Sequence, residues 1–224
     1  MSLAKTRSPQ EDRERALPLL NVSRETIGRL DLYVALLLKW QKAINLVAPS
    51  TLGTVWTRHI LDSAQIAALG PEHRNWSDLG SGAGLPGLII AILSSERGSE
   101  SEVHLVESDQ RKASFLREAA RVTKAPAIVH AFRIEDAIDG LIGRVTAVTA
   151  RALAPLPKLL ELAEPLLTKG IEGFFPKGQA LESELEQASI LFDFEARLAA
   201  SRTDKNGRIV IIRKLRRRAA SIGG

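Results

Sequence analysis

Between residues 75 and 93 the chain reads N-W-S-D-L-G-S-G-A-G-L-P-G-L-I-I-A-I-L. Gly80, Gly82, Gly84 and Gly87 stand between a short apolar segment ending at Leu79 and an unbroken apolar run over 88–93. Glycine lacks the Cβ that keeps a ligand from the backbone, and it enters positive φ freely. The first N–H groups of the helix that follows have no intrahelical partner and point at whatever fills the turn. A strand, a glycine turn and a helix in this order can cradle a nucleotide-type cofactor. Residues 82–87 fit G-x-G-x-x-G, a dinucleotide fingerprint. Residues 80–84 fit G-x-G-x-G, a turn that serves S-adenosylmethionine. The glycines alone do not choose between them.

Two carboxylates bear on the choice. Asp78 precedes the first glycine by two residues. At a strand tip it repels a pyrophosphate and attracts the sulfonium and ammonium of S-adenosylmethionine. Glu107 ends the next apolar stretch, 103–107, where a carboxylate can accept both ribose hydroxyls in either cofactor class. Together they favour a cationic ligand. Gly80, Gly82, Gly84 and Leu85 of the loop then join Asp78 and Glu107 as candidate cofactor contacts. Ile134 and Glu135 follow a third strand, and ligands of doubly wound sheets gather at the carboxyl ends of strands. Arg151 and Lys177 directly follow or end later strands on the same rim. Further upstream, Arg58 and Asp62, and His59 and Ser63, are i,i+4 neighbours on a helix. Read by themselves they are a surface ion pair and a satisfied histidine.

The elements that position these residues follow from periodicity and punctuation. Residues 1–12 are polar and expected to lack order, and 13–20 form a short helix. Ser23 caps a longer helix with an apolar face of Ile27, Leu30, Leu32, Val34, Leu37 and Leu38, ending near Lys42. A turn at 45–49 leads to a helix over 52–69, stopped by Gly70-Pro71. From residue 75 the chain alternates: strands at 75–79, 103–107, 127–131, 145–149 and 173–177, helices at 86–95, 110–123, 156–167 and 180–190. Pro86 suits the first position of its helix, and Asp109 caps the next. Two last strands, 192–201 and 208–214, flank Thr203-Asp204-Lys205-Asn206-Gly207, and Asn-Gly is a strong hairpin signal. The expected architecture is α/β, a parallel Rossmann-like sheet ending in an antiparallel hairpin, the class I methyltransferase pattern, with an N-terminal helical extension. The expected division is 1–72 for the extension, 73–215 for the cofactor-binding domain and 216–224 for a basic tail.

A chain of 224 residues with 45% apolar and 25% charged residues is long enough for one well-buried domain plus an extension. It has no cysteine, which excludes disulfides and thiolate metal sites, and its four histidines show no paired ligand spacing. No metal is expected. No stretch is long and apolar enough to span a membrane and no signal peptide opens the chain, so a cytoplasmic protein is expected. No heptad or exposed apolar helix asks for a partner, so a monomer is expected. The net charge is +5, but residues 201–224 hold eight basic side chains against one acid, leaving the remainder slightly acidic. Arg216, Arg217 and Arg218 are the densest part. A basic end on a near-neutral body suits a polyanion such as RNA, and equally a solvated tail.

The segment D-L-G-S-G-A-G-L-P-G, preceded by N-L-V (45–47) and R-H-I-L-D-S (58–63), resembles the RsmG family of small-subunit ribosomal RNA guanine-N7 methyltransferases. That family is also called glucose-inhibited division protein B (GidB). The likeness continues through F-L-R-E (115–118), R-I-E-D (133–136), T-A-R-A (149–152) and P-K-G-Q (176–179), covering about residues 20 to 214. The L-P-G extension of the loop together with R-H-x-x-D-S is its specific part. The resemblance implies S-adenosylmethionine as cofactor and 16S ribosomal RNA of the small subunit as partner, methylated in the 530-loop region. It also implies Arg151 and the Ile134–Glu135 pair as cofactor-site residues. It turns Arg58 and His59 toward the active-site mouth, with Lys177 on the rim to meet an RNA phosphate or the target base. Guanine N7 carries its own lone pair, so no proton has to leave before it attacks and no catalytic general base is expected. An NAD(P)-dependent oxidoreductase and a non-catalytic RNA-binding or ribosome-assembly factor on the same fold are the alternatives.

Overall fold

A computed structural model of the chain describes residues 8–97 and 100–219. Its frame is a seven-stranded sheet in the order β3-β2-β1-β4-β5-β7-β6. The strands are β1 (Asn75–Leu79), β2 (Glu102–Val106), β3 (Ala127–His130), β4 (Ala147–Thr149), β5 (Glu172–Lys177), β6 (Phe192–Ala200) and β7 (Arg208–Arg217). The first five pair in parallel, and β7 runs antiparallel to both β5 and β6. β1 lies near the middle, its last four residues buried, as expected of a strand covered on both faces. β4 is shorter than the apolar run 145–149 suggests. The Val145 N–H turns back to Leu141 O and closes the preceding turn instead of entering the ladder.

Helices cover both faces. One layer holds α1 (Pro9–Leu20), α2 (Arg24–Trp40), α3 (Asp62–Leu69), α4 (Gly87–Ser94) and α5 (Gln110–Thr123). The other holds α6 (Ile134–Ala137), α7 (Leu156–Leu167) and α8 (Leu181–Leu191). Leu30, Tyr33 and Leu37 of α2 share one core cluster with Ile89 of α4 and Phe115 of α5. Tyr33 and Trp40 both stack edgewise or tilted on Phe115, ring centroids 6.2 and 5.9 Å away. The N-terminal helical extension therefore packs as a layer of the main core.

The expectation of disorder over 1–12 fails at its C-terminal end, since α1 begins at Pro9; residues 1–7 lie outside the described residues. Ser8 and Glu11 form a reciprocal capping box, and the S-x-x-E spacing that makes it is plain in the sequence. Within the same helix Asp12 is buried and accepts from the Thr57 N–H at 2.9 Å and the Thr57 hydroxyl at 2.6 Å. The single helix expected over 52–69 is instead a 3₁₀ segment (Pro49–Thr54), a π-helical turn (Trp56–Leu61) and then α3. Pro86 stands one residue ahead of α4 rather than inside it.

Candidate active site

Two clefts open side by side at the carboxyl edge of the parallel strands. The first, of about 520 Å³, is lined by Gly80, Gly82, Leu85, Glu107, Ile134, Glu135 and Arg151, with Phe132 and Lys112 at its walls. Its floor is the glycine loop. Gly80, Gly82 and Gly84 all have positive φ (68°, 56° and 80°). A Cβ on Gly80 or Gly84 would strike Leu153 or Leu88 at 2.7 Å, whereas one on Gly82 meets nothing nearer than 3.9 Å. Gly80 and Gly84 are thus bare to let the loop fold, and Gly82 is bare beside open space. The Ser81 N–H bonds to Val106 O at 2.9 Å, tying the loop to β2. The Tyr33 hydroxyl donates to Ala83 O at 2.7 Å from α2; sequence reading missed this support, as the tyrosine lies fifty residues upstream.

Glu107 sits directly after β2 and holds the rim. Its Oε2 accepts the Gly82 N–H and its Oε1 the Asp109 N–H, both at 2.8 Å. Each oxygen keeps a lone pair, and the residue lines the cleft, so the carboxylate fits a vicinal diol. At α6 the N–H groups of Asp136 and Ala137 return to Arg133 O. Those of Ile134 and Glu135 belong to the first helical positions, which lack intrahelical partners, and both residues line the same cleft as Phe132. The open face of Gly82, the Glu107 carboxylate and this edge suit an adenosine-bearing cofactor.

Asp78 departs from expectation. It is 0% exposed and does not line the cleft. Its side chain points beneath the loop, where Oδ2 accepts the Gly87 N–H at 2.9 Å. A Cβ on Gly87 would meet Asp78 Cβ at 2.5 Å, so that glycine brings α4 against β1. Oδ1 has no hydrogen-bond partner among the described residues. Burial pushes the Asp78 carboxyl up to about 7, against the opposing pull of the Gly87 N–H and Arg151. Asp78 pins the helix to the strand from beneath the loop. Gly84 likewise shapes the loop without lining the cleft.

The second cleft, of about 770 Å³, is lined by Arg58, His59, Asp62, Lys177, Thr203 and Arg208 among others, and shares Leu46, Arg151 and Ala152 with the first. Arg151 stands at the junction. Its Nη1 approaches His59 Nδ1 at 3.2 Å, Arg58 O at 3.3 Å and Asp62 Oδ2 at 3.4 Å. A guanidinium only donates, so His59 Nδ1 accepts. The Thr51 hydroxyl donates to Ala48 O at 2.7 Å and lies 2.8 Å from His59 Nε2, so Nε2 carries the proton. Burial first, then Arg151 and Arg58, push the His59 imidazole down to about 3. It is a neutral, fully engaged ring and offers no free base. Asp62 also accepts from the hydroxyl of Thr203 at 2.6 Å. The hairpin turn thereby joins the site, a contact between residues 141 positions apart.

The remaining basic candidates are paired. Lys177 Nζ lies 2.8 Å from Glu184 Oε2 and donates to Ala154 O at 2.7 Å, while Glu184 also accepts the Leu156 N–H at 2.6 Å. That lysine anchors the start of α7. Arg216 and Arg217 lie within β7, where a tail from residue 216 was expected. Arg216 and Arg218 pair with Asp193, and Arg217 with Glu164. Arg208 faces Lys177 at the carboxyl end of β5, and β7 then runs away from the clefts. Nine residues of strand carry Arg217 roughly 30 Å to the opposite edge. Residues 220–224 lie outside the described residues. Among the described residues no helix is long and apolar enough to cross a membrane.

The chain matches the family model described as "GidB: rRNA small subunit methyltransferase G" over residues 26–210. It is 53% identical over 201 residues to the "Ribosomal RNA small subunit methyltransferase G" of Bradyrhizobium sp. strain BTAi1, covering 90% of each chain. Against the protein of that name from Methylobacterium nodulans it is 52% identical, covering 91% of this chain and 96% of the other. Among solved structures it is similar to an O-methyltransferase from Bacillus cereus in complex with SAH. That likeness has a TM-score of 0.57 at 13% identity, covering 92% of this chain and 97% of the other. It is similar also to cofactor-bound Rv0187 from MTB, again with a TM-score of 0.57, at 11% identity, covering 95% and 99%. The antiparallel β7 and these matches set aside the dinucleotide oxidoreductase alternative. With a family match across most of its length and relatives more than half identical, the chain belongs to the GidB family, rRNA small subunit methyltransferase G.

Proposed function

We propose that this chain transfers the methyl group of S-adenosylmethionine to N7 of a guanine in 16S ribosomal RNA, in the 530-loop region. The observation that carries this reading is the junction of the two clefts. One is built of glycine-loop backbone and Glu107, the other of polar groups from several separate elements, and Arg151 walls both. Gly80, Gly82, Leu85, Glu107, Ile134, Glu135 and Arg151 would hold the cofactor. When bound, S-adenosylmethionine supplies an electrophilic methyl on a cationic sulfur. The protein's own part is placement and exclusion of water, and alignment alone is worth ~7–11 kcal/mol of barrier. N7 needs no deprotonation, which agrees with a His59 whose lone pair is already taken by Arg151. The target base has to be unstacked to enter the second cleft.

The RNA backbone is met by the hairpin turn. Arg202, Lys205 and Arg208 have no carboxylate partner among the described residues, and Arg208 lines the second cleft beside Arg58. This reading moves the polyanion contact from Arg216, Arg217 and Arg218 to the turn between β6 and β7, and leaves Lys177 as an anchor of α7. The test is transfer of a labelled methyl group to unmethylated small subunits, to deproteinised 16S RNA and to a transfer RNA pool, with the product nucleoside identified. N7-methylguanine in a ribosomal substrate is expected. Intact cofactor binding with no transfer to any of the three would replace the enzyme by a binding or assembly factor.

A further inference from the structure

At the opposite edge of the sheet, where β1, β4 and β5 begin, three side chains of metal-ligating type meet. His73, in the turn before β1, is 9% exposed, and its Nε2 has no hydrogen-bond partner among the described residues. That nitrogen faces Glu72 Oε1 at 3.7 Å and Glu172 Oε2 at 3.6 Å, and the three donor atoms lie within 4.8 Å of one another. The other ring nitrogen is also engaged: Nδ1 is 3.1 Å from Thr146 Oγ1, which in turn lies 3.3 Å from Asn75 O. In the tautomer with Nδ1 donating to that oxygen, Nε2 presents a lone pair to two carboxylates, a repulsion that a cation or a proton on Nε2 relieves. The ring is held in place: Trp76 and Phe174 pack edgewise on it at 5.7 and 5.5 Å. Gly70 is bare beneath it, since a Cβ there would meet His73 Cδ2 at 2.8 Å.

We propose that His73 Nε2, Glu72 and Glu172 bind one divalent transition-metal ion, zinc by donor type. Nitrogen and carboxylate oxygen at ~2.0–2.2 Å in a tetrahedral site stand about 3.3–3.5 Å apart. The present separations to Nε2 exceed this by a few tenths of an ångström. Glu72, exposed on its turn, closes most of the difference, and a water completes the shell. Nδ1–H on Thr146 is the outer contact that orients a metal-bound imidazole. Arg213 Nη2 holds both Glu172 oxygens, Oε1 at 2.8 Å and Oε2 at 2.9 Å, and Oε2 keeps a second lone pair for the ion. Two carboxylates against one guanidinium leave the site net negative. The ion would staple the start of β1 to the start of β5 across β4, far from both clefts and independent of the methyl-transfer reading.

The test titrates zinc chloride and cobalt chloride into the chelator-treated full chain. Calorimetry reads zinc, and visible absorption with tryptophan quenching reads cobalt, because Trp76 touches His73. One equivalent of zinc is expected, with a zinc-dependent rise in melting temperature. Glu72→Gln, at an exposed position, should weaken binding about tenfold or more, and His73→Gln should abolish it. Equal zinc affinity in the wild type and both variants would overturn the assignment by placing the metal elsewhere. It is overturned too if nuclear magnetic resonance shows both His73 nitrogens protonated and unmoved by equimolar zinc, because a proton then does the work of the ion.

Discussion

Replacing Asp78 by Asn separates two roles that one carboxylate could play in this loop. The side chain is fully buried, one oxygen holds the Gly87 N–H, the other has no partner, and its carboxyl is raised from 3.8 to about 7. Folding therefore takes up a proton between those values, so stability falls as pH rises from about 4 to about 7 and is level above. At pH 8 burying the ionised carboxyl costs ~4 kcal/mol relative to the unfolded chain, and at pH 5, where folding protonates it, the cost is ~2. Asparagine does not titrate and can keep its Oδ1 on the Gly87 N–H. Its own burial cost is the same at both pH values and cancels in the comparison. The substitution should thus gain ~2–3 kcal/mol relative to the wild type on going from pH 5 to pH 8. That corresponds to roughly 5–10 °C in Tm for a domain of this size. Urea unfolding at the two pH values measures it, and S-adenosylhomocysteine calorimetry runs alongside, where near-normal affinity is expected. An equal effect of the substitution at both pH values would mean that Asp78 is ionised without cost. A folded variant that no longer binds the cofactor would return Asp78 to the site, as the sequence pattern suggested.

Gly82→Asp should keep the fold, because aspartate tolerates left-handed φ and a Cβ at Gly82 meets nothing within 3.4 Å. It should nonetheless abolish S-adenosylhomocysteine binding by filling the cleft; an isotherm like the wild type's would unseat the loop assignment. Glu107→Gln should weaken that affinity by ~1.5–3 kcal/mol, the worth of hydrogen bonds to a charged acceptor, and should also lower Tm, because the amide NH2 then faces one of the two N–H groups, of Gly82 and Asp109, that the carboxylate accepts. Arg202, Lys205 and Arg208 changed together to Ala should lower the slope of log affinity for single-stranded RNA against log salt by about 2, at ~0.7 per lost phosphate contact. Changing Arg216, Arg217 and Arg218 to Ala should leave the slope nearly unaltered, and the reverse ranking would restore the tail. Lys177→Met should cost ~3–5 kcal/mol of stability by stranding the Glu184 carboxylate, whereas a lysine that served RNA alone would leave urea unfolding unchanged.

The fold was legible wherever local rules and the global sheet agreed. β1, α5 and α7 fall where Gly80, Asp109 and the apolar spacing of 156–167 put them, and the Asn206-Gly207 turn returns β7 beside β6. The departures have local causes that cross the sequence. The π-helical turn within 52–69 is held at Thr57 by a carboxylate at Asp12, some forty-five residues earlier. The metal-type cluster depends on Glu172, a hundred positions from His73, so no spacing rule could show it. The capping box at Ser8 was there to be read and was masked by the polar composition around it.

The candidate site divides in the same way. Sequence order says which residues reach a strand's carboxyl end; it does not say toward which side of the loop they turn. Gly82, Glu107 and Arg151 turn into the clefts. Asp78, one strand position from Leu79, turns under the loop because Gly87 must come within van der Waals reach of β1 for α4 to dock, and that approach encloses whatever side chain lies there. Charge misleads for a related reason. Counting basic residues near the C-terminus weighs Arg216, Arg217 and Arg218 above Arg202, Lys205 and Arg208, yet β7 carries the first three to the far edge and gives them Asp193 and Glu164. A strand ten residues long converts a single run of positive charge into two groups at opposite ends of the molecule. Of these residues Arg208 lines the cleft that Arg151 shares, and that shared wall is why the proposed RNA contact is assigned to the turn rather than to the far edge.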